Sequence, residues 1–381
     1  MGLIFFSGGT LKNSRSFIKR RTGMSAAALG ATALLLAGCG AAPPADNGGG
    51  ASEPAAEPVD YTGCIVSDSG GFDDQSFNQS SYEGILAAEE SLGIEIQQAE
   101  SQAETDFTPN VNSMVTSGCD LIVTVGFLLS ATTAEAAEAN PDTNFAIVDD
   151  SQIDLPNVKP IIYDTAQAAF LAGYLAAGTS ETGTVATYGG IQIPTVTIFM
   201  DGFADGVTYY NEQKDADVQL LGWDKEAQTG TFVGDFVNQA AGKTNTENFI
   251  NEGADIIMPV AGPVGLGTIE AVEEANAEDG TAKVIWVDSD GFLTVESGTE
   301  YILSSVMKLM GEAVEQVISE DVEDNFSNEP YVGTLENGGV ALAPFHDQED
   351  AVSDELKAEL EELQAAIIAG EVTVESEASP Q

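Results

Sequence analysis

The 381-residue chain is poor in cations, with 12 lysines and arginines against 62 aspartates and glutamates, and it has one histidine and three cysteines. Each scarcity removes a class of function. A formal net charge of −50 excludes nucleic acid as a partner, because phosphate binding draws its affinity from clustered Lys and Arg. With His346 alone, zinc sites that need two or three imidazoles cannot be built, and no other metal site is expected. Neither a Ser-His-Asp nor a Cys-His pairing can be assembled, and Gly-x-Ser-x-Gly is absent. Adjacent carboxylates such as Asp73 and Asp74 do not face each other across a glycosidic bond. The segment from Gly262 through Gly265 and Gly267 to Thr268 lacks the Lys of a P-loop and the third Gly of a dinucleotide fingerprint, so no cofactor is called for. These absences argue for a non-enzyme.

Long apolar runs are also missing. Residues 24–37 are apolar for too short a stretch to span a bilayer, which needs about 20 residues. They follow Lys12, Arg15, Lys19, Arg20 and Arg21 and end in Leu36-Ala-Gly-Cys39, the pattern of a signal peptide with a lipobox. Residues 1–38 are thus expected to be removed, and Cys39 to carry the lipid, palmitate included, that holds the protein on the extracytoplasmic face of the cell membrane. Residues 39–60 are rich in Ala, Pro, Gly and Ser and read as a flexible tether. Beyond Cys39 the cations are seven lysines, with no arginine, so the acyl chain and not charge would provide the attachment.

From Cys64 the pattern changes to short β-rich runs followed by helical stretches. Strands are predicted at 64–68, 94–99, 120–126, 144–149 and 158–163, with helices at 76–92, 108–117, 131–139 and 166–177 between or after them. A second series has strands at 184–188, 218–221, 255–260 and 283–287 and helices at 196–213, 232–251 and 266–276. A strand from Tyr301, a helix to about Ser319, an irregular segment and a last amphipathic helix at 353–369 complete the chain. Such repetition predicts an α/β fold of two doubly wound parallel-sheet lobes with a ligand cleft at the carboxyl ends of the strands. The expected amino-terminal lobe covers 61–181 plus about 305–325, and the carboxyl-terminal lobe 182–304 plus about 326–372. Cys64 and Cys119 open two strands that this order sets side by side, so a disulfide between them is expected, with free buried thiols as the alternative.

The strand ends supply the candidate ligand contacts. Asp68-Ser-Gly-Gly-Phe-Asp-Asp-Gln-Ser-Phe-Asn78 is a Gly-rich loop leading into a helix, where backbone NH groups can approach a ligand or simply shape a turn. Asp288-Ser-Asp290 follows a strand; its oxygens could grip vicinal hydroxyls, or cap the next helix. Lys308 ends an apolar strand and could orient cleft carboxylates, or snorkel to the surface.

The stretch from Ser67 to Gly84 resembles the amino-terminal signature of the basic membrane protein family, substrate-binding lipoproteins of ABC transporters. Further matches follow in order: 118–127, 144–149, 170–176, 199–206, 253–257 with 261–267, and 302–308. The resemblance implies a type I periplasmic-binding-protein fold and a nucleoside, purine in particular, held in a closing cleft and delivered to an ABC permease. A sugar or polyol ligand, or a surface sensor or adhesin of the same fold, is the alternative. By that resemblance the base lies between Phe77 and an aromatic of the second lobe, Phe232 or else Trp223, with Asp68, Ser69 and Asp149 or Asp150 on its edge. Asn78, Gly126 and Phe127 line the same cleft, and Asp288, Lys308 and the backbone of Gly262 grip the ribose. Ser69 replaces an Asn found in several relatives, which leaves the base preference open. A monomer is the expected state.

Overall fold

The computed structural model describes residues 59–277 and 280–380. The signal peptide, Cys39 and nearly all of the tether lie outside the described residues.

The first lobe begins with β1 (Thr62–Ser69), α1 (Phe77–Leu92), β2 (Glu95–Ser101), α2 (Glu104–Ser117), β3 (Leu121–Val125), α3 (Ser130–Ala139), β4 (Asn144–Val148) and β5 (Val158–Tyr163). The strands β1, β3 and β4 are buried almost throughout, as expected where helices cover both faces of a parallel sheet. Chain order then passes to α4 (Thr165–Thr179), β6 (Thr184–Gly189), α5 (Pro194–Lys214), β7 (Gln219–Leu221), and the small hairpin β8 (Trp223–Asp224) and β9 (Thr229–Gly230). It continues through α6 (Gln239–Asn251), β10 (Ile256–Val260), α7 (Gly265–Asn276), β11 (Lys283–Asp288), α8 (Gly291–Thr294) and β12 (Ile302–Lys308). Last come α9 (Met310–Val322), β13 (Tyr331–Gly333), β14 (Val340–Leu342) and α10 (Asp354–Ile368).

Two six-stranded sheets result, in the orders β13-β5-β4-β3-β1-β2 and β14-β12-β11-β10-β6-β7. The second order repeats the first place by place, so β4 corresponds to β11 and β1 to β6. All pairings in these sheets are parallel except β12 with β14. This is the doubly wound two-lobe fold read from the sequence.

The lobe borders differ from the expected ones. A border at 181/182 puts helix α4 in the first lobe, but the helix packs on α5, β12, β14 and α10 of the second. Its residues 166 and 168–177 are all buried, an all-round apolar helix that says nothing by period about which sheet it joins. Strand β12 lies in the second sheet and β13 pairs with β5 in the first, so the chain crosses near Asp164, Leu309 and residues 334–339. These crossings are tied together: Asp164 NH donates to the Gly333 carbonyl (2.8 Å) and Leu309 NH to that of Gly339 (3.0 Å). Helix α9 returns to the first lobe against α1. The contact requires glycine, since a Cβ on Gly84 would stand 2.3 Å from the Gly311 carbonyl oxygen.

Cys64 and Cys119 are joined as a disulfide with Cα atoms 6.0 Å apart. It sits at the amino ends of β1 and β3, opposite the cleft.

Candidate ligand-binding site

Between the carboxyl ends of the two sheets lies a cavity of about 550 Å³, measured to its open mouth. From the first lobe Asp68, Ser69, Phe77 and Asn78 line it, with Gly126, Phe127 and Asp149. Gly262, Asp288 and Lys308 face them from the second.

The first-lobe wall is built around Asp68. Asn78 Nδ2 donates to its Oδ1 (3.1 Å), and the loop that brings Asn78 there is set by Asp74. The Asp74 carboxylate accepts from the backbone NH groups of Ser76 (3.0 Å), Asn78 (2.9 Å) and Gln79 (3.0 Å) and so caps the start of α1. Gly126 has φ +111°, and a Cβ there would stand 2.2 Å from Asp68 Oδ2, so only glycine leaves room for that carboxylate. Burial pushes the Asp68 carboxyl up to about 8; Asn78 opposes this, while the charges of Asp74, Asp149 and Asp288 add to it. Asn78 Oδ1 is buried in the cavity wall without a protein partner, which presents an acceptor to a ligand donor.

Lys308 is the buried cation of the site. Its Nζ lies 2.5 Å from Asp149 Oδ2 and 3.7 Å from Asp288 Oδ1, and it stands over the rings of Phe199 (5.1 Å) and Phe77 (5.2 Å). Burial raises the Asp288 carboxyl to about 6, with Lys308 pulling it back. The Asp149 carboxyl is likewise raised by burial and lowered by Lys308. An acceptor-rich wall with one shared cation suits a ligand that offers several hydroxyl or NH donors.

Two sequence expectations need correction. Asp150 does not line this cavity; it turns to an adjoining one, where its carboxylate accepts from Ser130 Oγ (2.7 Å) and Gln152 NH (3.1 Å). Successive residues leaving a strand point apart, and the positive φ of Asp149 (66°) aims that carboxylate at Lys308. Phe232 is not in the cavity either. The expected helix from 232 begins instead at Gln239, after Asn238 caps it by accepting from Ala241 NH (3.2 Å). Residues 231–234 run extended along Gly189 and Gly190, with Phe232 packed on Gly189 and edge-on to Trp223. Trp223 is buried, donates from Nε1 to Asp201 (3.0 Å) and does not line the cavity. The ring that reaches the cavity from this segment is Phe236, with Gly190 beneath it.

Asp74, Phe199 and Phe236 were not read as site residues. Phe199 lies in the family-like stretch 199–206, and Phe236 lies four positions past Phe232.

Residues 62–378 match the family Bmp, described as ABC transporter substrate-binding protein PnrA-like. The chain belongs to that family. It is 30% identical over 372 residues to the ABC transporter nucleoside-binding protein BmpA of Lactococcus lactis, an alignment covering 94% of this chain and 99% of that one. Basic membrane protein A of Borreliella burgdorferi is 29% identical over 313 residues, covering 81% and 86%. An ABC transporter system solute-binding protein of Aeropyrum pernix K1 superposes with a TM-score of 0.75 at 25% identity, covering 84% of this chain and 94% of that structure. As a Bmp member the protein is an ABC-transporter substrate-binding protein with the type I periplasmic fold, a role that implies a small-molecule ligand and a permease partner.

Proposed function

We propose that this Bmp protein captures purine nucleosides and hands them to an ABC permease. The observation that carries the reading is the pairing of aromatic and acidic walls in one cavity: Phe77 on the first lobe and Phe236 on the second, beside Asp68, Asp288 and Lys308. A nucleoside has a base with two π faces and a ribose with vicinal hydroxyls. Each ring stacked on the base contributes about 1 to 3 kcal/mol, and carboxylates that accept from ribose hydroxyls supply orientation. In this reading Asp68, Ser69 and Asn78, which line the cavity, would meet the base edge, and Asp288, Lys308 and Gly262 the sugar. The name of the Lactococcus relative supports this ligand class. Binding a hydroxylated ligand in a cleft between hinged lobes asks for no chemistry on it.

The chain would act as a monomer held outside the cell membrane by acylated Cys39, with residues 39–60 as its tether. The Leu36-Ala-Gly-Cys39 sequence supports that reading.

Titration calorimetry on protein stripped of carried-over ligand tests the ligand class. Adenosine, guanosine or inosine should bind tightly, with cytidine, uridine, ribose and free bases much weaker. Ribose binding as tight as the nucleosides would replace this reading with a polyol one.

A further inference from the structure

The loop between β1 and α1 does more than line the cavity. Gln75 has φ +58°, which turns its carbonyl out of the helix start and across to the second lobe. That carbonyl accepts from Thr294 Oγ1 (2.9 Å), Ser289 Oγ (3.2 Å) and Trp286 Nε1 (3.3 Å), and its side-chain Oε1 accepts from Glu296 NH (3.1 Å). Next to it the fully buried Ser76 hydroxyl is shared between the Val287 carbonyl (3.1 Å) and Asp288 Oδ2 (3.2 Å). All of these partners lie on β11 or on the segment that follows it.

We propose that Gln75 and Ser76 form an interlobe latch that positions Asp288, so that lobe closure and the ligand-facing geometry of this carboxylate are one event. Asp288 has Lys308 on one oxygen, at 3.7 Å, and Ser76 on the other. When the lobes part, Ser76 leaves with the first lobe and Asp288 loses the donor that fixes its second oxygen. The latch residues also carry no net charge, so their bonds are short-range and form only when the lobes have met. A feature of this kind acts on the closed state and therefore on ligand release more than on encounter. The inference rests on capture by lobe closure and is independent of which small molecule is captured.

The test uses the full-length protein with Thr294→Val, Thr294→Ser, Gln75→Ala and Ser76→Ala. Small-angle scattering without added ligand reads the balance of open and closed forms, and stopped-flow fluorescence with inosine reads association and release. Thr294→Val and Gln75→Ala should enlarge the radius of gyration and speed inosine release about five- to tenfold, the equivalent of one hydrogen bond, with association changed less than about twofold. Ser76→Ala should do the same, and Thr294→Ser should restore both readouts. Scattering and release rates that match wild type in Thr294→Val and Gln75→Ala would overturn the latch. So would a Thr294→Ser protein as impaired as Thr294→Val, which would mark a packing defect. If wild type binds no inosine, the nucleoside reading falls, and the scattering result decides the latch by itself.

Discussion

Asp149 and Asp288 are the same residue of the fold met twice. Asp149 directly follows β4 and Asp288 ends β11, strands that hold the third place in their respective sheets. Both have left-handed backbones, φ 66° and 72°, which Asp tolerates better than most residues. Each thereby turns its carboxylate toward Lys308, at 2.5 and 3.7 Å. The cation itself sits where β12 crosses to α9, so one lysine answers an acidic strand end from each lobe at one of the points where the chain passes between the lobes.

Removing that lysine should therefore harm the fold as well as the site. Lys308→Met puts an apolar group where the Lys308 Nζ stands over the rings of Phe77, Phe199 and Tyr163 but leaves Asp149 buried without its counter-ion. Stranding one member of a buried pair costs about 3 to 5 kcal/mol. Urea unfolding at pH 7.5 should show a loss of that size, reduced at pH 5 where the orphaned carboxylate can take up a proton. An equal loss at both pH values would mean that the lysine acts through packing.

The raised carboxyls set a direction for stability against pH. Asp68 titrates at about 8 and Asp288 at about 6 in the folded protein, against 3.8 unfolded. Folding therefore takes up protons between these values, so the contribution of both groups is fully present below about pH 4 and is lost as pH rises through 6 and then 8. Each group can add a slope of at most about 1.4 kcal/mol per pH unit. Thermal melts of wild type should fall between pH 6 and 8, on top of any general acidic repulsion, and Asp68→Asn should flatten that part. An unchanged slope in Asp68→Asn would show that Asp68 is ionised throughout.

The alternation of strands and helices was legible because parallel strands buried on both faces read as apolar runs, and β3, β4 and β10 fall where such runs predict. Half of the residues that line the cavity were legible for a related reason: they lie at the carboxyl ends of strands or in the turn and helix start that follow. What failed was local or distant. The short strands β13 and β14 span three residues each, too few to show a period, and they carry the crossings that define the lobes. The boundary of α6 hung on Asn238 as a cap inside a polar stretch, and a helix begun at Phe232 hides the extended run that brings Phe236 and not Phe232 to the cavity. The Gln75 contacts join residues 211 to 221 positions apart, which no local pattern encodes.

The disulfide should separate stability from binding. Cys64 and Cys119 are both buried and tie β1 to β3 at the ends away from Asp68 and Gly126. Replacing both by Ala should cost about 2 to 5 kcal/mol in urea unfolding, chiefly by freeing the unfolded chain. Ligand affinity measured well below the transition should stay within about twofold, less than the value of one hydrogen bond. A large loss of affinity in a protein still folded would show that the strand ends are strained through the whole sheet.

The aromatic walls give the sharpest contrast between neighbouring residues. Phe77 and Phe236 line the cavity from opposite lobes, whereas Phe232 packs on Gly189 and Trp223. Phe77→Ala and Phe236→Ala should each weaken nucleoside binding by about 1 to 3 kcal/mol, the value of a stacked ring, with ribose binding little changed. Phe77 also touches Lys308, so its variant should lose somewhat more. Phe232→Ala removes core packing and should lower the melting temperature more than the affinity. Calorimetry and thermal melts on the three variants separate these effects. If Phe232→Ala abolished binding while Phe236→Ala bound normally, Phe236 would not be the second ring.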